Sequence, residues 1–362
     1  MRTPYLNYVT NDNTKGCLRH IKYLHLFKYQ NEMKHISVII PQGSVIIDTI
    51  IGSYNLLKMA NSFFKQSKGL KEAPYQIELV GLDENAITYQ GLFQITPEKS
   101  IKQIEKTDLI VISAISGNLE DGIKKNKSFI SWIKKQRIEN DAEIASLCKS
   151  AFLLAETGLI NGKSCSTHWM AQNEFRQRYP KVNLVPENII SEDNGIYSSG
   201  GAYSFLNFML FIIEKYYGRE TAIWCSKVSE IDIDRFDQSH FMIFNGQKQH
   251  TDDAIKKAQI YIECNYQQKL NIDEIAGIMN LNGRSFLRRF KKATSNTPLE
   301  YIQRVKIEAA KKKLESTTET ILEVMYSIGY NDEKAFRTTF RKYSGLAPKE
   351  YQRKYNREMA FA

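Results

Sequence analysis

The chain has 362 residues, more than one compact domain usually holds, so two or three domains are expected. Its apolar fraction of 42% and charged fraction of 25% are ordinary for a globular protein, and no apolar run is long enough to span a bilayer. A disordered or membrane-embedded chain is thereby excluded. The net charge of +10 is uneven: residues 250–362 hold 21 Lys and Arg against 14 Asp and Glu, which favours a nucleic-acid partner for the last third.

The cysteines lie far apart in the sequence, at Cys17, Cys148, Cys165, Cys225 and Cys264. Without close pairs they predict neither a disulfide framework nor a metal site, and no cofactor is expected. A reducing cytoplasm is the simplest location. Residues 1–33 lack the basic and apolar segments of a signal peptide and precede a strand-like run, so we interpret them as an extension upstream of the natural start.

The front part of the chain alternates between strand-like and helix-like patterns. Short apolar runs are typical of strands buried on both faces, and apolar residues at helical spacing predict helices. The predicted strands are 36–40, 75–82, 87–95, 109–112, 142–147, 164–169, 182–185 and 189–190, and the predicted helices are 45–64, 129–138, 150–157 and a long apolar one from Gly200-Gly201 to Gly218. This alternation predicts a doubly wound α/β domain.

Residues 221–250 show no clear periodicity, and we place the domain boundary within them, near residue 248. The expected organisation is therefore a front domain over 34–225, a linker over 226–250 and a second domain over 251–356.

The second domain contains one pattern twice, over residues 271–304 and 320–354. The first halves of the copies are offset by 49 positions and the second halves by 50, so that Glu274 corresponds to Glu323 and Phe286 to Phe336. The offset changes by one residue at the position where a turn between the two helices is expected. Such a repeat indicates a repeated structural unit, and its content predicts an all-α double helix-turn-helix domain.

Capping residues mark the helix starts in both copies. Asn271 with Glu274, and Thr320 with Glu323, have the spacing of capping boxes. Each second helix then carries two phenylalanines at helical spacing on its core side, namely Phe286, Phe290, Phe336 and Phe340. Between the copies, residues 299–314 predict one long helix that would hold the two units at a fixed spacing.

With the phenylalanines inward, each second helix presents a polar stripe outward. The first stripe comprises Arg284, Leu287, Arg288 and Lys291, and the second comprises Lys334, Arg337, Thr338 and Arg341. Arginine and lysine can bind guanine in the major groove, and each good contact contributes about 1–3 kcal/mol of discrimination. Most basic residues on helices are only solvated surface, but two stripes in register favour double-stranded DNA as a partner. Because the stripes differ, we expect an asymmetric target site.

The residues of the repeat also carry a family pattern. They are Glu274-Ile275-Ala276, Arg288-Arg289-Phe290-Lys291-Lys292, Gly329-Tyr330, Phe336-Arg337, Phe340-Arg341-Lys342, Gly345 and Pro348-Lys349-Glu350-Tyr351. In these motifs the chain resembles the DNA-binding domain of AraC/XylS-type transcription regulators. The resemblance implies two helix-turn-helix units in successive major-groove faces of one duplex. The sequence departs from it at Asn280, where glycine is usual, and at Thr338, where some members carry a base-reading arginine.

The front domain carries a second resemblance, through Thr107-Asp108-Leu109-Ile110-Val111, the segment 146–159 and Thr167-His168-Trp169. It is similar to the class I glutamine amidotransferase-like (PfpI-type) domain that is fused to AraC-type domains. This resemblance covers residues 34–225. It implies an α/β flavodoxin-like sandwich in which Cys148 occupies a tight strand-to-helix turn, the nucleophile elbow.

Cys148 is the candidate catalytic residue. A helix N-terminus lowers a thiol pKa, but hydrolysis also needs a base, and Lys149 stands where hydrolytic relatives carry histidine. A sensing pocket or a redox-sensitive thiol is therefore favoured over catalysis. The expected pocket residues are Asp48, Cys148 and His168. The alternatives are a helix N-terminal charge for Asp48 and a buried structural histidine for His168.

The segment Ser198-Ser199-Gly200-Gly201 precedes a helix and has two interpretations. Its free backbone N–H groups could bind an anion, or it could simply be a tight connection between strand and helix.

Together these patterns predict a non-enzymatic, sequence-specific transcription regulator in the cytoplasm. The first alternative is an amidase or deglycase-like hydrolase that uses Cys148, and the second is an architectural DNA binder whose front domain only dimerises. The expected partners are promoter DNA, a small-molecule effector of unknown identity and a second copy in a homodimer. RNA polymerase is a further candidate partner, and no membrane partner is expected.

Overall fold

A computed structural model describes residues 34–233, 235 and 237–356. The expectation for residues 1–33 lies outside this range. The described chain contains a front α/β part, a connecting segment and a helical part. None of the described helices combines the length and the apolar character needed to cross a membrane.

The front part is built on a seven-stranded sheet with the order β10-β11-β7-β6-β1-β2-β5. Neighbouring strands run parallel, except that β10 is antiparallel to β11. Two further pairs, β3-β4 and β8-β9, lie beside it. The strands are β1 Lys34–Ile39, β2 Tyr75–Gly81, β3 Ile87–Tyr89, β4 Phe93–Ile95, β5 Lys99–Ser100, β6 Leu109–Ile112, β7 Glu143–Ser146, β8 Ser164–Cys165, β9 Asn183–Leu184, β10 Ile190–Asp193 and β11 Ile196–Ser199.

Helices cover both faces of the sheet: α1 Ile47–Ser67, α2 Leu119–Lys125, α3 Lys127–Asn140, α4 Ala151–Glu156, α5 Gln172–Arg178, α6 Ser204–Tyr217 and α7 Arg219–Val228. Successive side chains of a strand point to opposite faces. In β6, Leu109 and Val111 therefore pack in the core with α1, α6 and α7, whereas Ile110 and Ile112 pack in the core with α3 and α4. The fully apolar sequence of β6 follows from this double burial. The predicted α/β sandwich is confirmed.

Several predicted strands are shorter than expected because local turn chemistry interrupts the apolar pattern. The predicted strand 87–95 is a hairpin, since Gln90 and Gly91 both have positive φ. The predicted strand 164–169 ends at Cys165. The sequence patterns do not predict the helices α2, α5 and α7, each of which has ten residues or fewer.

The helical part comprises α8 Asp253–Asn265, α9 Ile272–Ile278, α10 Gly283–Thr294, α11 Pro298–Ser316, α12 Ile321–Ser327, α13 Glu333–Ser344 and α14 Pro348–Tyr355. It has two separate apolar cores. Tyr301 and Ile302, in the first half of α11, pack with α8, α9 and α10. Ile307, Ala310 and Leu314, in its second half, pack with α12, α13 and α14. The long helix predicted between the copies is therefore a shared wall of both units.

Candidate DNA interface and sensor pocket

The first helix-turn-helix unit consists of α9 and α10. The Asn271 side chain accepts a hydrogen bond from the Asp273 N–H at 2.9 Å. The reciprocal half of the predicted capping box is missing, because Glu274 contacts the Asn271 side chain at 3.5 Å rather than its backbone N–H. Asn282 caps α10 through the Ser285 N–H at 2.9 Å.

The second unit, α12 and α13, has a complete capping box. The Thr320 N–H donates to Glu323 at 2.7 Å, and the Glu323 N–H donates to the Thr320 hydroxyl at 3.2 Å. In its turn, Gly329 has a φ of 75°, and a Cβ at this position would overlap the Gln267 carbonyl oxygen. Only glycine fits this turn.

The turn of the first unit is different. Asn280 has a φ of 55°, a left-handed conformation that asparagine tolerates better than most residues. The departure from the family's usual glycine is therefore accommodated by the backbone preference of asparagine.

The phenylalanines predicted for the core of the two units are fully buried: Phe286, Phe290, Phe336 and Phe340 each have an exposed fraction of 0%. Within each pair the rings lie close, with centroids 5.5 Å apart in α10 and 5.7 Å apart in α13. Their burial fixes the rotation of α10 and α13 about their own axes and so determines which residues face outward.

All eight residues predicted to contact DNA are exposed on α10 and α13: Arg284, Leu287, Arg288, Lys291, Lys334, Arg337, Thr338 and Arg341. The structure groups them into the two expected stripes. In the second stripe, Glu333 holds Arg337, with 2.6 Å from its Oε1 to both Nε and Nη2 of the guanidinium. The first stripe has Gly283 in place of Glu333 and Leu287 in place of Arg337, so the two surfaces differ in charge and in shape.

Arg289 has a structural partner that the sequence did not reveal. Its Nε and Nη2 donate to the two carboxylate oxygens of Asp252 at 2.8 and 2.6 Å. Asp252 also caps α8 through the Ile255 N–H. The Arg289 guanidinium lowers the pKa of Asp252 by hydrogen bonding. Arg289 therefore joins α10 to α8 and does not belong to the outward stripe.

Cys148 lies in a 3-10 turn between β7 and α4 with a φ of 55°, as an elbow requires. Its thiol is buried, with an exposed fraction of 1%. Burial raises the pKa of Cys148, and hydrogen bonds from the N–H groups of Ala202 and Lys149 offset this only in part. The expectation that the helix N-terminus favours a thiolate is wrong in direction, because desolvation outweighs it.

The other two predicted pocket residues lie in different surroundings. His168 is next to Thr167, whose hydroxyl donates to the Cys148 carbonyl at 3.0 Å, so the His168 loop adjoins the elbow. The imidazole packs against Gly201, where a Cβ would overlap it. Burial and the nearby Lys149 charge lower the pKa of His168. Asp48 is exposed and accepts a hydrogen bond from the Tyr203 hydroxyl at 3.2 Å.

A surface cavity of about 360 Å³ lies on the side of Lys149. It is lined by Gly117, Asn118, Leu119, Glu120, Lys149, Glu174 and Arg178. Arg178 lies 3.9 Å from Glu120 across it. Asp48, Cys148 and His168 are not among its lining residues, so the elbow reaches this cavity only through Lys149.

The glycine pair before α6 does not offer free N–H groups. The Gly200 N–H donates to the Ile189 carbonyl at 2.7 Å, and the Gly201 N–H donates to Gln238 Oε1 at 3.0 Å. The anion-site interpretation of this segment is therefore wrong, and it serves as a tight connection.

Gln238 belongs to the connecting segment between α7 and α8, yet it lies inside the front domain with an exposed fraction of 2%. Its Nε2 donates to the carbonyls of Pro186 at 2.6 Å and Thr167 at 3.2 Å. It therefore touches both the loop of His168 and the glycine pair beside Ala202. We call residues 237–247 the strap.

The strap also contacts the helical part along its length. Asp237 and Ser239 lie against Gly345, which ends α13. The Phe244 N–H donates to Glu308 at 3.1 Å, and the Tyr301 hydroxyl donates to the Gly246 carbonyl at 2.9 Å. The strap is thus in contact with the front domain and with both helix-turn-helix units.

Residues 275–354 match the helix-turn-helix domain family, and residues 60–215 match the DJ-1/PfpI family. Among solved structures, it is similar to an AraC family transcriptional regulator from Pseudomonas putida, with 14% identity, a TM-score of 0.44, and coverage of 54% of this chain and 99% of that chain.

Curated relatives span both domains. The HTH-type transcriptional regulator GbdR of Pseudomonas aeruginosa is 23% identical over 283 residues, which cover 76% of this chain and 74% of GbdR. The HTH-type transcriptional regulator CdhR of the same species is 20% identical over 278 residues, which cover 76% of this chain and 81% of CdhR. The chain is therefore a DNA-binding transcription regulator in which a DJ-1/PfpI-family domain precedes a helix-turn-helix domain.

Proposed function

We propose that the two outward stripes of α10 and α13 read one asymmetric DNA site in consecutive major-groove faces. The observation that carries this proposal is the arrangement of eight exposed residues on two helices whose rotation is fixed by buried phenylalanines. The side chains of Arg284, Arg288 and Lys291 have no hydrogen-bond partner among residues 34–233, 235 and 237–356, so their donors are available for bases and phosphates.

The test is a fluorescence-anisotropy titration of the full chain against DNA from its own upstream region, at several salt concentrations. Arg288→Ala and Arg337→Ala should each cost about 1–3 kcal/mol of specific binding and should relax preference at one base position. Arg353→Ala is the matched control, since Arg353 is an exposed arginine of α14 outside both stripes. Equal affinity of both stripe variants and the wild type would contradict the proposed interface.

The front domain is proposed to sense a small molecule and not to catalyse a reaction. Burial raises the pKa of Cys148, which disfavours the nucleophilic thiolate, and the residue that follows is Lys149 rather than a histidine base. Cys148→Ala is therefore expected to retain specific DNA binding. An amidase or deglycase turnover that is present in the wild type and lost in Cys148→Ala would contradict this view.

We also propose that the regulator acts as a homodimer, contacts RNA polymerase at its promoters and works in the cytoplasm, where it meets its DNA. Light scattering of the purified chain with and without promoter DNA tests the first part. A single copy per DNA site at all protein concentrations would exclude the homodimer.

A further inference from the structure

Arg304 on α11 is a partly buried arginine that forms no ion pair with the residues that the structure describes. Its Nε is inaccessible to solvent, and the guanidinium forms no hydrogen bond with any of the residues that the structure describes. Instead its Cζ lies 4.7 Å from the ring centroid of Tyr343 and 5.8 Å from that of Phe244. Aromatic faces attract a cation, but they accept no hydrogen bond from the Nε–H, which lies in the guanidinium plane. Buried unsatisfied donors of this kind are rare and require an explanation.

A second arginine approaches the same place from the front domain. Arg176 on α5 forms one long hydrogen bond, 3.4 Å to Gln172 Oε1. Burial lowers the pKa of Arg176, and the Arg304 charge lowers it further, although Glu187 opposes both effects. Glu300 also acts on Arg304, but its carboxylate already accepts the N–H and hydroxyl of Thr297. Glu187 acts on Arg304 as well. Among the residues that the structure describes, however, neither Arg176 nor Arg304 forms an ion pair with a carboxylate.

Lys311, about two helical turns after Arg304 along α11, differs from both arginines. Its Nζ donates to the Met242 carbonyl and to Glu308, the latter at 3.2 Å. Oxygen atoms of the strap and of α11 therefore accept hydrogen bonds from the Lys311 ammonium group. The donor that lacks an acceptor belongs to Arg304.

A small cavity adjoins the Arg304 guanidinium. Its walls include Gln172 of α5, Met242 and Phe244 of the strap, Arg304, Glu308 and Lys311 of α11, and Tyr343 of α13. The Glu308 carboxylate already accepts hydrogen bonds from the Lys311 ammonium group and the Phe244 N–H. Its volume is about 30 Å³, which accommodates roughly two water molecules. This space suits the two oxygen atoms of a carboxylate better than the four oxygen atoms of a phosphate.

We propose that this junction binds the carboxylate group of a small organic ligand, with the guanidinium of Arg304 as the principal donor. A carboxylate can accept two parallel N–H bonds from one guanidinium, which is the strongest pairing open to Arg304. The rest of the ligand would extend towards the mouth of the cavity. Because the walls come from the front domain, the strap and α13, such a ligand contacts every part that must move together for regulation. Its role as an effector, though not its binding, rests on the proposed regulatory function.

The test is thermal unfolding of the full chain with sodium acetate, at ionic strength held constant with sodium chloride and in the absence of DNA. Acetamide is the neutral control of the same shape, and inorganic phosphate is the competing anion. Acetate at ten times its Kd should raise the Tm by about 2–4 °C, and acetamide should leave it unchanged. Arg304→Met should lose the acetate response, with affinity reduced by at least about tenfold. Arg353→Met should retain the full response.

Arg304→Lys keeps the charge but cannot form the bidentate pair, so it is expected to give an intermediate acetate response even if the Met variant does not fold. Equal shifts with acetate and acetamide, no shift with either, or a full acetate shift in Arg304→Met or Arg304→Lys would overturn the proposal. A larger shift with phosphate than with acetate would overturn the assignment to carboxylates. Since no DNA is present, failure here leaves the DNA-binding proposal untouched, and failure of DNA binding leaves this result valid.

Discussion

Replacement of Gln238 by alanine tests whether the strap is an integral part of the fold. Gln238 is buried in the front domain although it belongs to the segment that connects the two domains. Its Oε1 accepts the Gly201 N–H at 3.0 Å, and its Nε2 donates to the Pro186 carbonyl at 2.6 Å, with longer contacts to Thr167 and Asn188. Alanine removes all of these contacts and leaves the Gly201 N–H buried without an acceptor.

The stability lost in Gln238→Ala comes from the two shorter hydrogen bonds of Gln238 and from the buried Gly201 N–H that is left without an acceptor. Each hydrogen bond contributes a net of about 0.5–1.5 kcal/mol, and a buried donor left unsatisfied costs about 1–3 kcal/mol. We therefore expect Gln238→Ala to lower the free energy of unfolding of the front domain by about 2–4 kcal/mol. Gln238→Glu should cost more, because a carboxylate would face the carbonyl oxygens that now accept hydrogen bonds from Nε2.

The assay is urea denaturation, followed by far-UV circular dichroism, together with the rate of trypsin cleavage after Arg235. Gln177→Ala is the matched control, since Gln177 is an exposed glutamine of α5 and its loss should change stability by less than about 0.5 kcal/mol. The reasoning fails if Gln238→Ala has the stability of that control and is cleaved no faster than the wild type.

Three further predictions concern the turns of the two units and a histidine of the strap. Gly329→Ala should destabilise the second unit strongly and reduce DNA affinity, because its Cβ would overlap the Gln267 carbonyl; normal stability in urea would contradict this. Asn280→Gly should be neutral or stabilising by up to about 1 kcal/mol, since glycine adopts the left-handed conformation without strain, and a clear loss of stability by the same measurement would refute it. Burial, followed by the Lys354 charge, lowers the pKa of His240 to about 4, compared with 6.5 in the unfolded chain. The unfolded chain therefore binds a proton first as the pH falls from about 6.5 towards 4, so stability should fall across that window, and His240→Gln should show a smaller loss in a pH series of unfolding measurements.

The architecture could be predicted from the sequence wherever one periodic pattern controls burial. The four phenylalanines of α10 and α13 lie at helical spacing, and their burial follows from that spacing alone. The apolar run of β6 likewise predicts a strand covered on both faces. The exposed stripes of α10 and α13 were predictable for the same reason, because they lie on the helix faces opposite the buried phenylalanines.

The contacts of individual side chains were less predictable, because they depend on residues that are distant in the chain. Nothing near Gln238 in the sequence indicates that it enters the front domain. The bidentate pair of Arg289 and Asp252 spans 37 positions. Cys148 lies at the expected turn, but whether burial or the helix N-terminus controls its pKa depends on what covers the thiol. Asp48 lies at the expected helix start and pairs with Tyr203, which is 155 positions away.

The length of the shared helix α11 sets both the distance and the relative rotation of the two helix-turn-helix units. It has 19 residues and is therefore about 28 Å long, close to the length of about 34 Å of one DNA turn. One residue inserted at its centre would rotate the second unit by about 100° relative to the first, and would turn its recognition helix away from the groove. Seven inserted residues would restore the phase to within about 20° and add about 10 Å, or roughly three base-pair steps. Over three base-pair steps, however, the groove itself rotates by about a third of a turn, so the length of α11 fixes both the rotation and the spacing at which the two units can meet one duplex.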